Sequence, residues 1–167
     1  MRRLRLVAVL LGLLSMSAGI SASDQIGTPC NADMWKHIHS PGRFRVIAGC
    51  VAVRGTVVGN IHRNFYDGDA VFDLRPDFES AVTLRKIDRE MDGLRTKRQN
   101  GLIRVEIICA YTTKTKWWIC SGYKNRVLIP KPGDIVVVSG PYVLDGHRRV
   151  ELHGPTDVEI LRTAGQP

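Results

Sequence analysis

A chain of 167 residues, 44% hydrophobic and 24% charged, is long enough to bury one core and too short for two ordinary domains. That composition excludes a disordered tail, a collagen and a repeat array. Lysine and arginine outnumber aspartate and glutamate by 24 to 16, a formal charge of +8, and setting aside Arg2, Arg3 and Arg5 leaves a smaller but still basic excess. Such a balance favours polyanions or acidic surfaces as partners and says nothing about fold.

Arg2, Arg3 and Arg5 precede an apolar run over residues 6–14 and a stretch of small residues over 15–23. This is the tripartite pattern of a secretory signal peptide, with cleavage after Ala22 or Ser23. Ser15, Ser17 and Ser21 break the run short of the roughly 20 apolar residues that span a bilayer. Residues 1–23 are therefore expected to be removed, leaving an arm (24–44), a folded body (45–162) and a short tail (163–167) in a periplasmic or secreted protein. All four cysteines, Cys30, Cys50, Cys109 and Cys120, lie beyond the cut. An even number in an exported chain points to disulfides. Four cysteines allow three connectivities, of which Cys30 with Cys50 and Cys109 with Cys120 are favoured: the first ties the arm to the first strand, the second pins residues 110–119 at their base. No pair has the close spacing that structural zinc prefers.

In chain order, Trp35 and Ile38 suggest a short helix stopped by Ser40-Pro41-Gly42. From Arg45 the residues become β-branched, and Val51, Val53 and Val57 alternate along a long first strand interrupted by Gly55 and Gly59. In a closed sheet such glycines mark a bend or the close passage of another backbone. Asp67-Gly68-Asp69 reads as a hairpin turn; it opens like a calcium loop, but the later ligands and the closing glutamate are absent. A second strand follows with Ala70, Phe72 and Leu74 on one face and Asp73 on the other. Residues 79–100 place Leu84, Ile87, Met91 and Leu94 at helical spacing among charges of both signs, a short amphipathic helix or a long exposed loop. Ile103, Val105 and Ile107 then alternate with Arg104 and Glu106, Pro132-Gly133-Asp134 turns the chain into a fourth strand over 135–140, and residues 150–160 supply a last strand broken at Gly154-Pro155.

The pattern predicts an all-β fold: a five-stranded, OB-fold-like Greek-key barrel with a short helical N-terminal arm and an insertion between strands two and three. An open β-sandwich is the alternative. The blocks Cys50-Val51-Ala52-Val53-Arg54-Gly55-Thr56-Val57, Asp67-Gly68-Asp69, Val105-Glu106-Ile107, Pro132-Gly133-Asp134, Gly140-Pro141-Tyr142-Val143-Leu144-Asp145 and Glu151-Leu152-His153 resemble, in that order, a bacterial family of exported, largely uncharacterised OB-fold-like proteins. The resemblance implies fold and export and brings no established reaction. Two departures stand out: Gly154 intervenes where the family commonly reads Glu-Ile-His-Pro, and Val71 occupies a position where it often has His.

Two sets of residues could carry chemistry. Asp73, Glu106, Asp145, Glu151 and His153 combine carboxylates with an imidazole, types that bind a divalent cation or supply a base and its orienting partner. They are also what the solvent face of a barrel requires. A divalent cation is the sole cofactor they suggest. A metal-dependent hydrolase or nuclease would add Arg54, Arg75 or Arg104 as phosphate partners, but the acid-and-arginine motif of thermonucleases does not follow Asp69. There is no Gly-x-Ser-x-Gly elbow, no His-Glu-x-x-His and no glycine-rich phosphate loop; His37 and His39 are expected to face solvent. The second set, Lys116, Trp117, Trp118, Tyr123, Lys124 and Arg126, places aromatic rings beside cations in one connection. That is how OB-folds hold single strands. Filling the barrel's end is the structural alternative for Trp117 and Trp118. The sequence thus favours a non-catalytic binder of an anionic or extended ligand, whether single-stranded nucleic acid, oligosaccharide, peptide or an anionic envelope component, over a hydrolase or a scaffold.

Overall fold

The computed structural model describes residues 30–90, 100–123 and 125–165, so the expected signal segment, Met91, Leu94 and Lys124 fall outside the described residues. Six strands and one helix follow in order: β1 (Arg45–Arg63), β2 (Ala70–Pro76), α1 (Phe78–Glu90), β3 (Ile103–Ile107), β4 (Ile135–Leu144), β5 (Val150–His153) and β6 (Asp157–Arg162). They form one mixed sheet in the order β1-β2-β3-β5-β4-β6, and a further pairing of β1 with β4 closes it into a ring. Only β3 and β5 run parallel; the other pairings are antiparallel.

Closure depends on the length of β1. Its 19 residues serve two partners in succession: Arg45 to Thr56 pair with β4, Gly55 to Arg63 pair with β2, and the two ladders overlap at Gly55 and Thr56. Both roles expected of its glycines occur. A Cβ at Gly55 would collide with the carbonyl of Arg75 on β2 and come within 3.0 Å of Leu74 Cγ, so backbone passes close there. Gly59 sits with φ +72° inside a register shift between Val58 and His62, where the strand bulges.

The alternating residues fill the core. Val53, Val57, Phe72, Leu74, Ile103, Val105, Ile107, Val136, Val138 and Leu152 are buried in one cluster, each from a strand with branched or aromatic side chains at every second position. Between β2 and β3 the sequence left helix or loop open, and over Phe78–Glu90 it is a helix, α1. Asp77 caps it by accepting the Ser80 N–H at 2.9 Å, and Leu84 and Ile87 are buried against the sheet. The Tyr142 hydroxyl donates to Asp88 Oδ1 at 3.0 Å, tying helix to β4.

Where five strands were expected, the described residues hold six, because the last is divided. Both β5 and β6 lie along β4, and the chain between them steps out of the ladder at Gly154-Pro155. Gly140 faces that step so closely that a Cβ would stand 2.8 Å from Pro155 Cα.

The arm adopts two 3₁₀ turns, Asp33–His37 and Pro41–Arg43, in place of the expected helix. The first ends where Ile38 becomes extended, at φ −94° and ψ 131°, and Ser40, at φ 54°, leads into the second. Met34 and Ile38 bury themselves with Ile108 in a second apolar cluster joined by Trp35, Phe44 and Tyr123. His37 and His39 are half-buried rather than solvent-facing: His37 stacks on Tyr123 at 4.4 Å and hydrogen bonds the Ile119 carbonyl at 2.7 Å, and His39 meets the edge of Tyr66 at 5.4 Å.

Disulfides join Cys30 to Cys50 and Cys109 to Cys120, the favoured pairing, and the described residues contain no free cysteine. Such bonds suit an oxidising compartment. No helix among the described residues is long and apolar enough to cross a membrane. Closing loops of these lengths stabilises the folded state by about 3 kcal/mol apiece. Replacing Cys109 and Cys120 together by serine is expected to lower the free energy of urea unfolding by about that amount, and an unchanged midpoint would contradict the role given to this bond.

Candidate functional site

One candidate lies on a loop face built by two connections. The β1–β2 turn is held by backbone hydrogen bonds from Asn64 N to Asp69 O at 2.8 Å and from Gly68 N to Asn64 O at 2.9 Å. Tyr111 N donates to Gly68 O at 2.8 Å, and the Thr113 hydroxyl donates to the Phe65 carbonyl at 2.8 Å, so this turn and the β3–β4 connection form one surface. Gly68 has φ +87°, and any Cβ there would strike the Tyr111 carbonyl.

On this surface four rings stand in solvent: Phe65 at 72% exposure, Trp117 at 62%, Trp118 at 55% and Tyr66 at 46%. Two cations are threaded among them. Lys116 Nζ lies 5.1 Å from the Tyr66 ring centre and 4.9 Å from that of Trp118. The Arg63 guanidinium sits 5.0 Å from Phe65 and 4.7 Å from Tyr111, and donates to the Thr112 carbonyl at 2.6 Å. The two tryptophans meet edge to face at 6.5 Å. Being exposed, they do not plug the end of the ring of strands.

Trp117 and Tyr123 both line a cleft of about 360 Å³ floored by residues 109–113 and Cys120. Tyr123 is also the wall of a second cleft, about 330 Å³, which contains Arg126. The structure thus brings Lys116, Trp117 and Trp118 together, makes Tyr123 a partition, and sets Arg126 on its far side. Arg63, Phe65 and Tyr66 escaped sequence reasoning. The signal that could have found them is two adjacent aromatics at a hairpin tip, where turn chemistry alone calls for small polar residues.

The second candidate is a cluster of acids and an imidazole on the outer face of β3 and β5. Register sets it up. Asp73 pairs with Arg104, and Arg104 with Glu151; Val71 pairs with Glu106, and Glu106 with His153. Because side chains alternate, both rows project from the same face of the sheet. That face is not left to water here: Glu151 is 3% exposed and His153 1%. The arm covers it, with the Phe44 ring 4.2 Å from that of His153 and Met34 packed so tightly that a Cβ at Gly154 would meet its sulfur.

His153 Nδ1 lies 3.2 Å from Oε2 of Glu106 and 3.4 Å from Oε2 of Glu151. Burial alone would push the imidazole's pKa down, but the two carboxylates outweigh it and carry it up to about 9. Burial raises Glu106 too, yet His153, Arg43 and Arg104 bring it below the usual carboxylate range. Glu151 is raised by burial and by repulsion from Glu106 and Asp145, despite His153. The difference follows the neighbouring charges: Arg43 and Arg104 favour the Glu106 carboxylate, whereas Glu106 and Asp145 oppose that of Glu151. The β1–β2 turn adds two more buried acids. Asp69 is pushed up to about 7, first by burial and then by Asp67, while its Oδ1 accepts the Cys109 N–H at 2.9 Å. Asp67 is raised chiefly by burial.

Of the four acids and one histidine singled out in the sequence, Glu106, Glu151 and His153 meet. Asp73 is turned to Arg104, with Oδ1 3.6 Å from Nε. Asp145 caps the β4–β5 connection, accepting the backbone N–H groups of His147 at 2.8 Å and Arg149 at 2.7 Å through Oδ1. Asp67 and Asp69, read in the sequence only as a turn, belong to this buried cluster.

Compared with family models, curated proteins and solved structures, the chain matches none significantly.

Proposed function

We propose that this is an exported, OB-fold-like protein that binds an anionic or extended ligand without catalysis, through the loop face of Arg63, Phe65, Tyr66, Lys116, Trp117 and Trp118. The ring order β1-β2-β3-β5-β4-β1 with its single parallel pair supports the OB-fold reading, as does the resemblance to the bacterial exported family. Two disulfides support export. The observation that carries the binding reading is the exposure of four aromatic rings interleaved with two cations. Burying such rings against the protein itself would be favourable, so their display calls for something to stack on them.

Stacked bases or sugar rings fit the flat faces, and the cations suit phosphate, sulfate or carboxylate groups between them. Labelled single-stranded oligonucleotides, acidic oligosaccharides and acidic peptides are the test ligands, followed by tryptophan quenching at low and high salt. Trp117→Ala and Trp118→Ala are each expected to cost about 1–3 kcal/mol of binding with the fold intact. Lys116→Ala should flatten the salt dependence. No quenching by any of these ligands at low ionic strength would sink the reading.

A further inference from the structure

We propose that Glu106, Glu151 and His153 form a binding site for one divalent transition cation of the zinc class. The inference is independent of the loop-face reading, and its test does not involve a polymer ligand.

Spacing is the first argument. The two carboxylate oxygens and Nδ1 all lie within 4.8 Å of one another, with Nδ1 3.2 Å and 3.4 Å from its two neighbours. A four-coordinate zinc ion about 2.0–2.1 Å from each ligand holds its ligand atoms about 3.3 Å apart. A proton suits this spacing less well. Charge-assisted N–H···O contacts settle near about 2.7–2.9 Å, and one Nδ1–H cannot point along two lines at once.

Charge is the second. Asp67 is 8% exposed and its Oδ1 has no hydrogen-bond partner among the described residues. It lies close enough to Glu106 for the two charges to oppose each other, and Asp69 feels Asp67, Glu106 and His153 alike. Asp69, Glu106 and Glu151 therefore surround His153 with Asp67 beside them, more acid groups than Arg43 and Arg104, the cations acting on Glu106, can offset, and a divalent cation compensates the remainder.

Donor chemistry then selects the ion. One imidazole nitrogen with two carboxylates suits zinc or manganese, whereas calcium takes six to eight oxygens. The ligands stand on paired strands rather than loops, and Phe44 packs against the His153 ring and fixes its plane. The partly exposed Glu106 carboxylate is the side from which an ion enters, and three protein ligands leave a fourth position for water.

The test uses the full chain with disulfides intact, untagged and stripped with a chelator, titrated with cobalt(II). One equivalent should bind with the intense visible bands of four-coordinate cobalt, zinc should displace it, and the His153 ring protons should show paramagnetic shifts. Glu151→Gln and His153→Gln should each weaken binding by at least about 100-fold, since even outer-shell partners of a metal are worth 10–100-fold. His62→Ala, at an exposed histidine, should leave it unchanged. Absence of binding, six-coordinate cobalt, or unshifted His153 resonances would each overturn the proposal, as would full affinity in both ligand variants. Should those variants fail to fold, the wild-type spectrum and the His153 shifts decide.

Discussion

Gly55→Ala is expected to lower the melting temperature by about 10 °C, and Gly59→Ala by only a few degrees. The two sites lie four residues apart on the same strand, and intuition based on backbone angles ranks them the other way. Gly59 has the positive φ that a side chain resists, but nothing lies within 4 Å of a Cβ placed there, so alanine costs about 1 kcal/mol of backbone strain. Gly55 has no unusual φ. Its difficulty is that β1 changes partners there, with Pro76 of β2 on one side and Val136 of β4 on the other. A methyl group would press on the Arg75 backbone, 2.9 Å from its carbonyl carbon, and backbone in a paired strand cannot swing aside as a side chain can. Relief requires breaking part of the β1–β2 ladder, so the cost is at least about 3 kcal/mol, the upper part of the range for overpacking. Thermal unfolding of both variants by circular dichroism checks the ranking. Equal, small losses would mean that the ring does not close through this residue.

Asp69→Asn is expected to stabilise the protein at pH 8 by up to about 4 kcal/mol and to change little at pH 4. Burial and the neighbouring Asp67 raise the Asp69 pKa from 3.8 to about 7, so the folded state holds its proton more tightly than the unfolded chain does. A folded state that binds more protons loses stability as pH rises. The loss begins near 3.8, where the unfolded chain gives up its proton, and is complete above about 7, where the folded state has done so too. Roughly three pK units correspond to about 4 kcal/mol.

Asparagine avoids that loss and keeps an oxygen to accept the Cys109 N–H. The charged groups around Asp69 are Asp67 from its own turn, Glu106 from β3 and His153 from β5. His153, raised to about 9, contributes stability that is fully present below its unfolded value near 6.5 and is lost as pH climbs through 9. Comparing wild type with Asp69→Asn at each pH, with chelator present, isolates the one group from the others. Parallel stability curves for the two proteins from pH 4 to 8 would show that Asp69 is not buried as described.

How much of this was legible in the sequence varies with the range of the interaction concerned. Strands β2 and β3 could be read from Ala70-Val71-Phe72-Asp73-Leu74 and Ile103-Arg104-Val105-Glu106-Ile107 because one side of each is buried, and burial writes a period of two. The disulfides were legible because one pair ties the arm to the first strand and the other closes residues 110–119 at their base. The outer face was not. Nothing local distinguishes Glu151 and His153, buried beneath Phe44, from charges in water; the difference lies in the arm, which reaches the sheet through the Cys30–Cys50 bond and Met34. The exposed tryptophans were equally ambiguous, since a ring that plugs a barrel and one that awaits a partner have the same letter. The break between β5 and β6 could be placed at Gly154-Pro155, but that both halves follow β4 is a matter of long-range pairing.

The tip of the β1–β2 hairpin faces two ways at once, sending Phe65 and Tyr66 outward and Asp67 and Asp69 inward within five consecutive residues. Anyone re-engineering this molecule inherits that economy. A library that randomises the two rings to alter selectivity must spare the glycine between the acids and be transplanted together with the segment around Tyr111 and Thr113 that clasps it. Exchanged alone, either loop would leave the other without its footing.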